Sequence, residues 1–206
     1  MEHRNEPLSA RPAYAGIGAH ETPSGVLELM GEAAGSLART GWRLRSGMSP
    51  GADIAFYAGA LGAGGAIELY LPWPGFGAGA RRARQERRAR VLEFSLPDAG
   101  AHALAARFCP DWNRLDQRRR ALLARDGQQV LGGDLREPVE LVLCWTPEGD
   151  LDGLGARAGG TGQALRIAHT LGVEVLNLQR PEHAARLRER LARAGGRSPS
   201  GGAGLR

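Results

Sequence analysis

Residues 13–30 read AYAGIGAHETPSGVLELM, and this stretch decides the fold. A short apolar run ends in Gly16-Ile17-Gly18, where glycines free the backbone to turn. Thr22-Pro23 then supplies a helix N-cap and a first-turn proline. Val26, Met30, Ala33 and Leu37 recur at helical spacing on one face until Gly41 ends the run. Strand, glycine turn and capped helix together open a βα unit.

Outward from there the rhythm repeats. WRLRS (42–46) reads as a second strand, and Ser49-Pro50 as the start of a helix over 50–61. AIELYLPW (66–73) is a third strand stopped by Pro72 and Pro74. VELVLCW (139–145) is a near-continuous apolar run of the kind buried on both faces. A helix follows from about Gln163 to Leu171, ended by Gly172; VEVLNL is a last core strand and 181–194 a final helix. Strand–helix alternation predicts a three-layer α/β domain with an open, mostly parallel sheet and right-handed crossovers. Segment 77–127 breaks the rhythm and reads as a basic helical insertion, with VLEFSL between two helical runs. Residues 1–12 and 195–206 are small and polar, the composition of disordered ends, which leaves 13–194 as one domain.

The composition narrows the function classes. With 206 residues and 42% hydrophobic content the chain can bury a real core. It has no apolar run long enough to span a membrane and no apolar core for a signal peptide. Two cysteines, Cys109 and Cys144, make neither a disulfide framework nor a metal-ligand set. A cytoplasmic protein without a metal is expected. The net charge is +5 and every basic side chain is arginine. Such usage follows from base composition as readily as from selection for guanidinium geometry. Between Gly77 and Gly127 stand 12 arginines against 6 acids, while the rest of the chain is close to neutral.

Ligands of open α/β sheets bind beyond the carboxyl ends of the strands, and four unusual stretches fall there. The first holds Gly16, Gly18, His20, Glu21 and Thr22; the second Ser46, Gly47, Met48, Gly51 and Asp53. Thr146 follows the best core strand, and Gly159-Gly160-Thr161-Gly162-Gln163 opens the next helix. Each alone reads equally as a turn or cap. Together they form a composite anion site of several helix N-termini. No Walker-A loop exists without lysine, and Gly16-Ile17-Gly18 continues to Glu21 rather than glycine, which leaves the dinucleotide fingerprint incomplete.

The order YAGIGAHETP, then LARTGWRLRSGMSPGADIAFYAGA, then IELYLPW resembles the Rossmann-like core of the DNA-processing protein A (DprA/Smf) family. Ser46, Gly47, Gly51 and Asp53 match that family's second glycine motif. The LPWPGF, QVLGGDL and GGTGQA blocks resemble its compact bacterial and phage members, within the wider Smf/DprA–Lonely Guy superfamily. The resemblance implies a Rossmann-like sheet, binding of a nucleotide or single-stranded DNA, a role in DNA processing or recombination, and leaves a homodimer open. It requires no cofactor beyond a bound nucleotide. The family's Gly-Ser-Arg is replaced here by Gly18-Ala19-His20. Lonely Guy hydrolases resemble the chain at Gly159–Gln163, but Leu165 and Arg166 stand where their catalytic glutamate belongs. Glu21 and Asp53 are the carboxylates left to substitute, so binding is favoured over catalysis. The alternatives are an N-glycosidic hydrolase and a sensor or sequestering protein for a nucleotide messenger.

Arg81, Arg82, Arg84, Arg87 and Arg88, with Arg118, Arg119 and Arg120, form two basic clusters suited to nucleic-acid phosphates. A solvated helix in an arginine-biased protein explains them equally well. Trp73, Phe76 and Trp112 flank them and are candidates to stack on bases or to join the core.

Overall fold

The computed structural model describes residues 10–77 and 90–195. Its strands are β1 (Ala13–Gly16), β2 (Arg43–Ser46), β3 (Ala66–Leu71), β4 (Arg90–Ser95), β5 (Leu141–Cys144) and β6 (Glu174–Asn177). Its helices are α1 (Ser24–Arg39), α2 (Ala52–Gly62), α3 (Ala99–Phe108), α4 (Gln117–Leu131), α5 (Gly159–Thr170) and α6 (Pro181–Gly195). One sheet carries all six strands in the order β4-β3-β2-β1-β5-β6, and every pairing is parallel. From β1 the chain winds outward to β4, then returns to place β5 on the other side of β1. The strand order therefore reverses between β1 and β5, the switch point of a doubly wound, Rossmann-like sheet.

Period-two alternation sorts the side chains into two layers. Tyr14, Leu44, Ile67, Leu69, Leu141 and Leu143 face one way, into a core shared with Met30 and Ala33 of α1, Phe56 of α2 and Leu187 of α6. Ala13, Ala15, Val142 and Cys144 face the other, against Val130 of α4 and Leu165 and Ile167 of α5. Helices α1, α2 and α6 pack together on the first face, and α3, α4 and α5 on the second.

The segment expected as an insertion is integral to this architecture. Its VLEFSL run becomes the edge strand β4, paired to β3 from Ala66↔Arg90 to Leu71↔Ser95. Its later helical run becomes α4, which touches β1, β2 and β3. Helical periodicity with many arginines hides this role, because α4 buries polar residues. Arg125, Asp126, Gln128 and Gln129 are all buried. The alternation has a further consequence on β2 and β3. Arg43, Arg45 and Glu68 face the second layer and are buried.

A candidate anion site at the switch point

A cavity of about 370 Å³ opens at the carboxyl edge of the sheet. The loop after β1 supplies Ile17 to Glu21, the loop after β2 Ser49, and the first turn of α2 Asp53. Leu122, Arg125, Asp126 and Gln129 of α4 form another wall, and residues 157–161 at the start of α5 close it.

The helix ends here differ from those elsewhere. No side chain caps α1, α2 or α5 at the N-terminus. By contrast, Asp98 accepts from the Ala101 amide to cap α3, and Asp116 from the Arg119 amide to cap α4, each at 2.8 Å. Helix α5 begins at Gly159 rather than at Gln163, so its glycines form the first turn and leave uncapped amides beside the cavity.

Arg125 is the central cation. Its Nε lies 2.9 Å from Asp126 Oδ1, and its Nη1 3.7 Å from Asp53 Oδ2. Its Nη2 donates to Ser49 Oγ at 3.2 Å, while the Ser49 amide donates to Asp53 Oδ2 at 3.1 Å. Nη1 of Arg125 and Nε2 of Gln129 are buried and make no hydrogen bond among the described residues. Buried donors without partners are costly, and both belong to residues lining the cavity. Burial pushes the Asp126 carboxyl up to about 7; the Asp53 charge adds to the rise, and Arg125 and Arg166 oppose it. Asp53 is also raised, by burial first, against the pull of Arg125 and the Ser49 hydrogen bonds. A single guanidinium thus serves two carboxyls that do not ionise as freely as in water.

The glycines of the second motif are explained by this arrangement. A Cβ on Gly47 would stand 1.4 Å from Arg125 Nη1, so only glycine lets the guanidinium lie across that loop. Gly51 holds φ at +88° directly before α2, with Ala19 and His20 carbonyls pressed against it.

The cavity is lined by Gly18, His20, Glu21, Asp53, Gly159, Gly160 and Thr161 from the sequence-derived set. Glu21 pairs with Arg157 at 3.0 Å, both exposed. The other residues of that set support the walls. Gly16 packs beneath Phe56, and Ser46 Oγ donates to the Gly16 carbonyl at 2.7 Å. Thr22 Oγ1 donates to the Ala19 carbonyl rather than capping α1. Met48 is buried at φ 61°. Thr146 is fully buried, where Asn177 Nδ2 donates to its Oγ1 at 2.7 Å. Gly162 packs against the Gly153 carbonyl, and Gln163 Nε2 donates to the Ala105 carbonyl at 3.0 Å.

Arg118 stands over the Trp73 ring, and Arg120 over Trp112 while donating to the Trp112 carbonyl. Arg119 is exposed in the first turn of α4. Arg81, Arg82, Arg84, Arg87 and Arg88 lie outside the described residues. Sequence reading missed Arg125, Asp126 and Gln129. Their only signal was the polar run ARDGQQ between apolar residues of one helix.

Topology and cavity together define a doubly wound α/β protein with a cavity at the switch point, where such sheets bind their ligands. No family model matches the sequence, and no curated protein matches it. Among solved structures it is similar to DNA processing protein A from Helicobacter pylori, described for its single-stranded DNA binding mode. The TM-score is 0.49 and the identity 18%, over 82% of this chain and 65% of that one. The chain therefore spans less than two thirds of that protein's length. No described helix is long and apolar enough to cross a membrane.

Proposed function

We propose that the chain binds a phosphate group of a nucleotide or nucleic acid at the switch-point cavity, with single-stranded DNA as its ligand in DNA processing. The carrying observation is the buried guanidinium of Arg125, whose Nη1 makes no hydrogen bond among the described residues, on a cavity that also holds the uncapped start of α5. A phosphate oxygen satisfies both the guanidinium and the helix amides. The cavity, about 370 Å³, takes one nucleotide rather than a duplex. Titration of a labelled oligothymidylate at rising salt tests this. Affinity should fall linearly on a log–log plot as counterions compete. No binding at low salt would remove the reading.

A second reading rests on the carboxyl pair. Asp53 and Asp126 both line the cavity and both hold protons more tightly than in water. Such a group can act as a general acid on a nucleotide N-glycosidic bond. Chromatography of nucleoside monophosphates incubated with the protein decides it. Free base that disappears in Asp126→Asn or Asp53→Asn supports hydrolysis; no free base from the parent protein ends that reading.

A further inference from the structure

Beyond the first cavity, the same edge of the sheet carries a second one of about 400 Å³. It lies beyond the ends of β3 and β4 and is lined by Pro72, Trp73, Leu96, Pro97, His102 and Arg118, among others. Its lining is largely apolar and aromatic, with one exposed cation. Leu96 stands 63% exposed on its wall, at a φ of 62° that branched side chains rarely adopt. Trp73 is only partly buried.

The two cavities are joined by a continuous run of ring and guanidinium contacts. Arg125 lies 5.8 Å from the Phe76 ring centre. Phe76 meets Trp73 edge-to-face at 5.1 Å, and Arg118 stands 5.8 Å over the other end of the run, at Trp73. The path therefore begins at the phosphate-seeking guanidinium and ends at an indole in an open apolar pocket. Aromatic rings flanked by cations along one edge let a protein track a single strand, with phosphates on arginines and bases on rings. An apolar peptide would have no use for the arginine at each end.

We infer that the second cavity seats a base of a single-stranded nucleic acid whose phosphate occupies the first, with Trp73 as the stacking platform and Arg118 closing over it. This rests on the phosphate-binding reading and extends it: the preferred ligand is a strand of at least two nucleotides, not a mononucleotide. Stacking is indifferent to base identity, so the seat confers strand preference with little sequence preference.

The test compares thymidine monophosphate with an eight-nucleotide oligothymidylate on the parent protein, Trp73→Leu and Arg118→Gln. Trp73→Leu should weaken the oligonucleotide by roughly tenfold and leave the mononucleotide within about twofold. Arg118→Gln, an exposed change that leaves the core untouched, should show the same selectivity at a smaller size. Equal oligonucleotide affinity in parent and both variants overturns the base seat while the phosphate site stands. Parallel loss of both ligands in the folded variants also overturns it, since the pocket would then not be a separate seat. A parent protein that binds neither ligand removes both proposals.

Discussion

Two clusters of buried charge sit beneath the same helix, α4, and they are built differently. Toward the amino edge of the sheet, Arg43 and Arg45 face Glu68 and Glu137. Arg43 reaches Glu68 at 2.7 Å and Glu137 at 3.1 Å; Arg45 reaches them at 2.8 and 2.5 Å. Tyr70 donates to Glu68 at 2.7 Å, and Arg45 Nη1 to the Glu137 carbonyl. Two cations meet two carboxylates, each guanidinium touching both. At the carboxyl edge one cation, Arg125, faces two carboxyls, and Arg125 Nη1 and Gln129 Nε2 make no hydrogen bond among the described residues. The first cluster is balanced in charge, with Glu137 partly exposed and Arg43 Nε making no hydrogen bond among the described residues. The second opens on a cavity and is incomplete. Paired buried charge is structural; under the proposed function, the unbalanced cluster beside the cavity is the one held for a ligand.

The comparison can be broken by three substitutions. The largest effect is expected for Glu68→Gln, which leaves two buried guanidinium groups facing only the partly exposed Glu137. Destabilisation of about 3–5 kcal/mol is expected from urea unfolding, with oligonucleotide affinity per folded molecule unchanged.

Asp126→Asn should act in the opposite sense. A carboxyl raised to about 7 in the folded state binds its proton more tightly than in the unfolded chain. The penalty for folding therefore grows as pH rises from about 4, where the unfolded carboxyl ionises, to about 7, and is full above that. Removing the charge should stabilise the protein at pH 8 by an amount on the order of 2–4 kcal/mol, with the gain gone near pH 4. Binding should follow the same group. The neutral acid below pH 7 removes a negative charge close to Gly160, so phosphate affinity should fall as pH rises from 6 to 8. Asn at this position should flatten that profile. A parent profile flat from pH 6 to 8 would show that Asp126 does not face the bound anion.

Gly47→Ala gives the smallest but most selective effect. Its Cβ collides with Arg125 Nη1, the far end of a flexible side chain, so the guanidinium swings away and the loop survives. Loss of one charge-assisted contact should weaken oligonucleotide binding per folded molecule roughly ten- to a hundredfold, with stability lowered by about 1–2 kcal/mol because Arg125 also moves off Asp126 and Asp53. Equal affinity would show that Arg125 is as structural as Arg45.

Much of the scaffold was legible in the sequence because strands and helices announce themselves by period. The runs at 13–18, 66–73 and 139–145 contain β1, β3 and β5, and the spacing of Met30 and Ala33 marked the buried face of α1. The loops that meet at the cavity were legible too, since each glycine turn follows a strand. Less legible was which residue of a loop faces inward. Thr146 and Gln163 look like ligand contacts on a loop and at a helix start, yet both spend their hydrogen bonds within the protein. VLEFSL looked like part of an appendage because parallel pairing with β3 leaves no mark in a short run.

By itself, then, the sequence determined the alternation of strands and helices and the set of glycine turns at one sheet edge, since both are local properties of backbone and side-chain size. Tertiary structure alone decided that Arg125, Asp126 and Gln129 belong to that edge. They lie more than seventy residues from Ser49 and Asp53 and come from a helix that crosses the sheet, and no local pattern records which buried polar groups will share one cavity. It also decided that Arg45 shares two carboxylates with a second arginine while Arg125 alone faces two carboxyls beside a cavity, because a charge's role is set by the partners that folding brings to it.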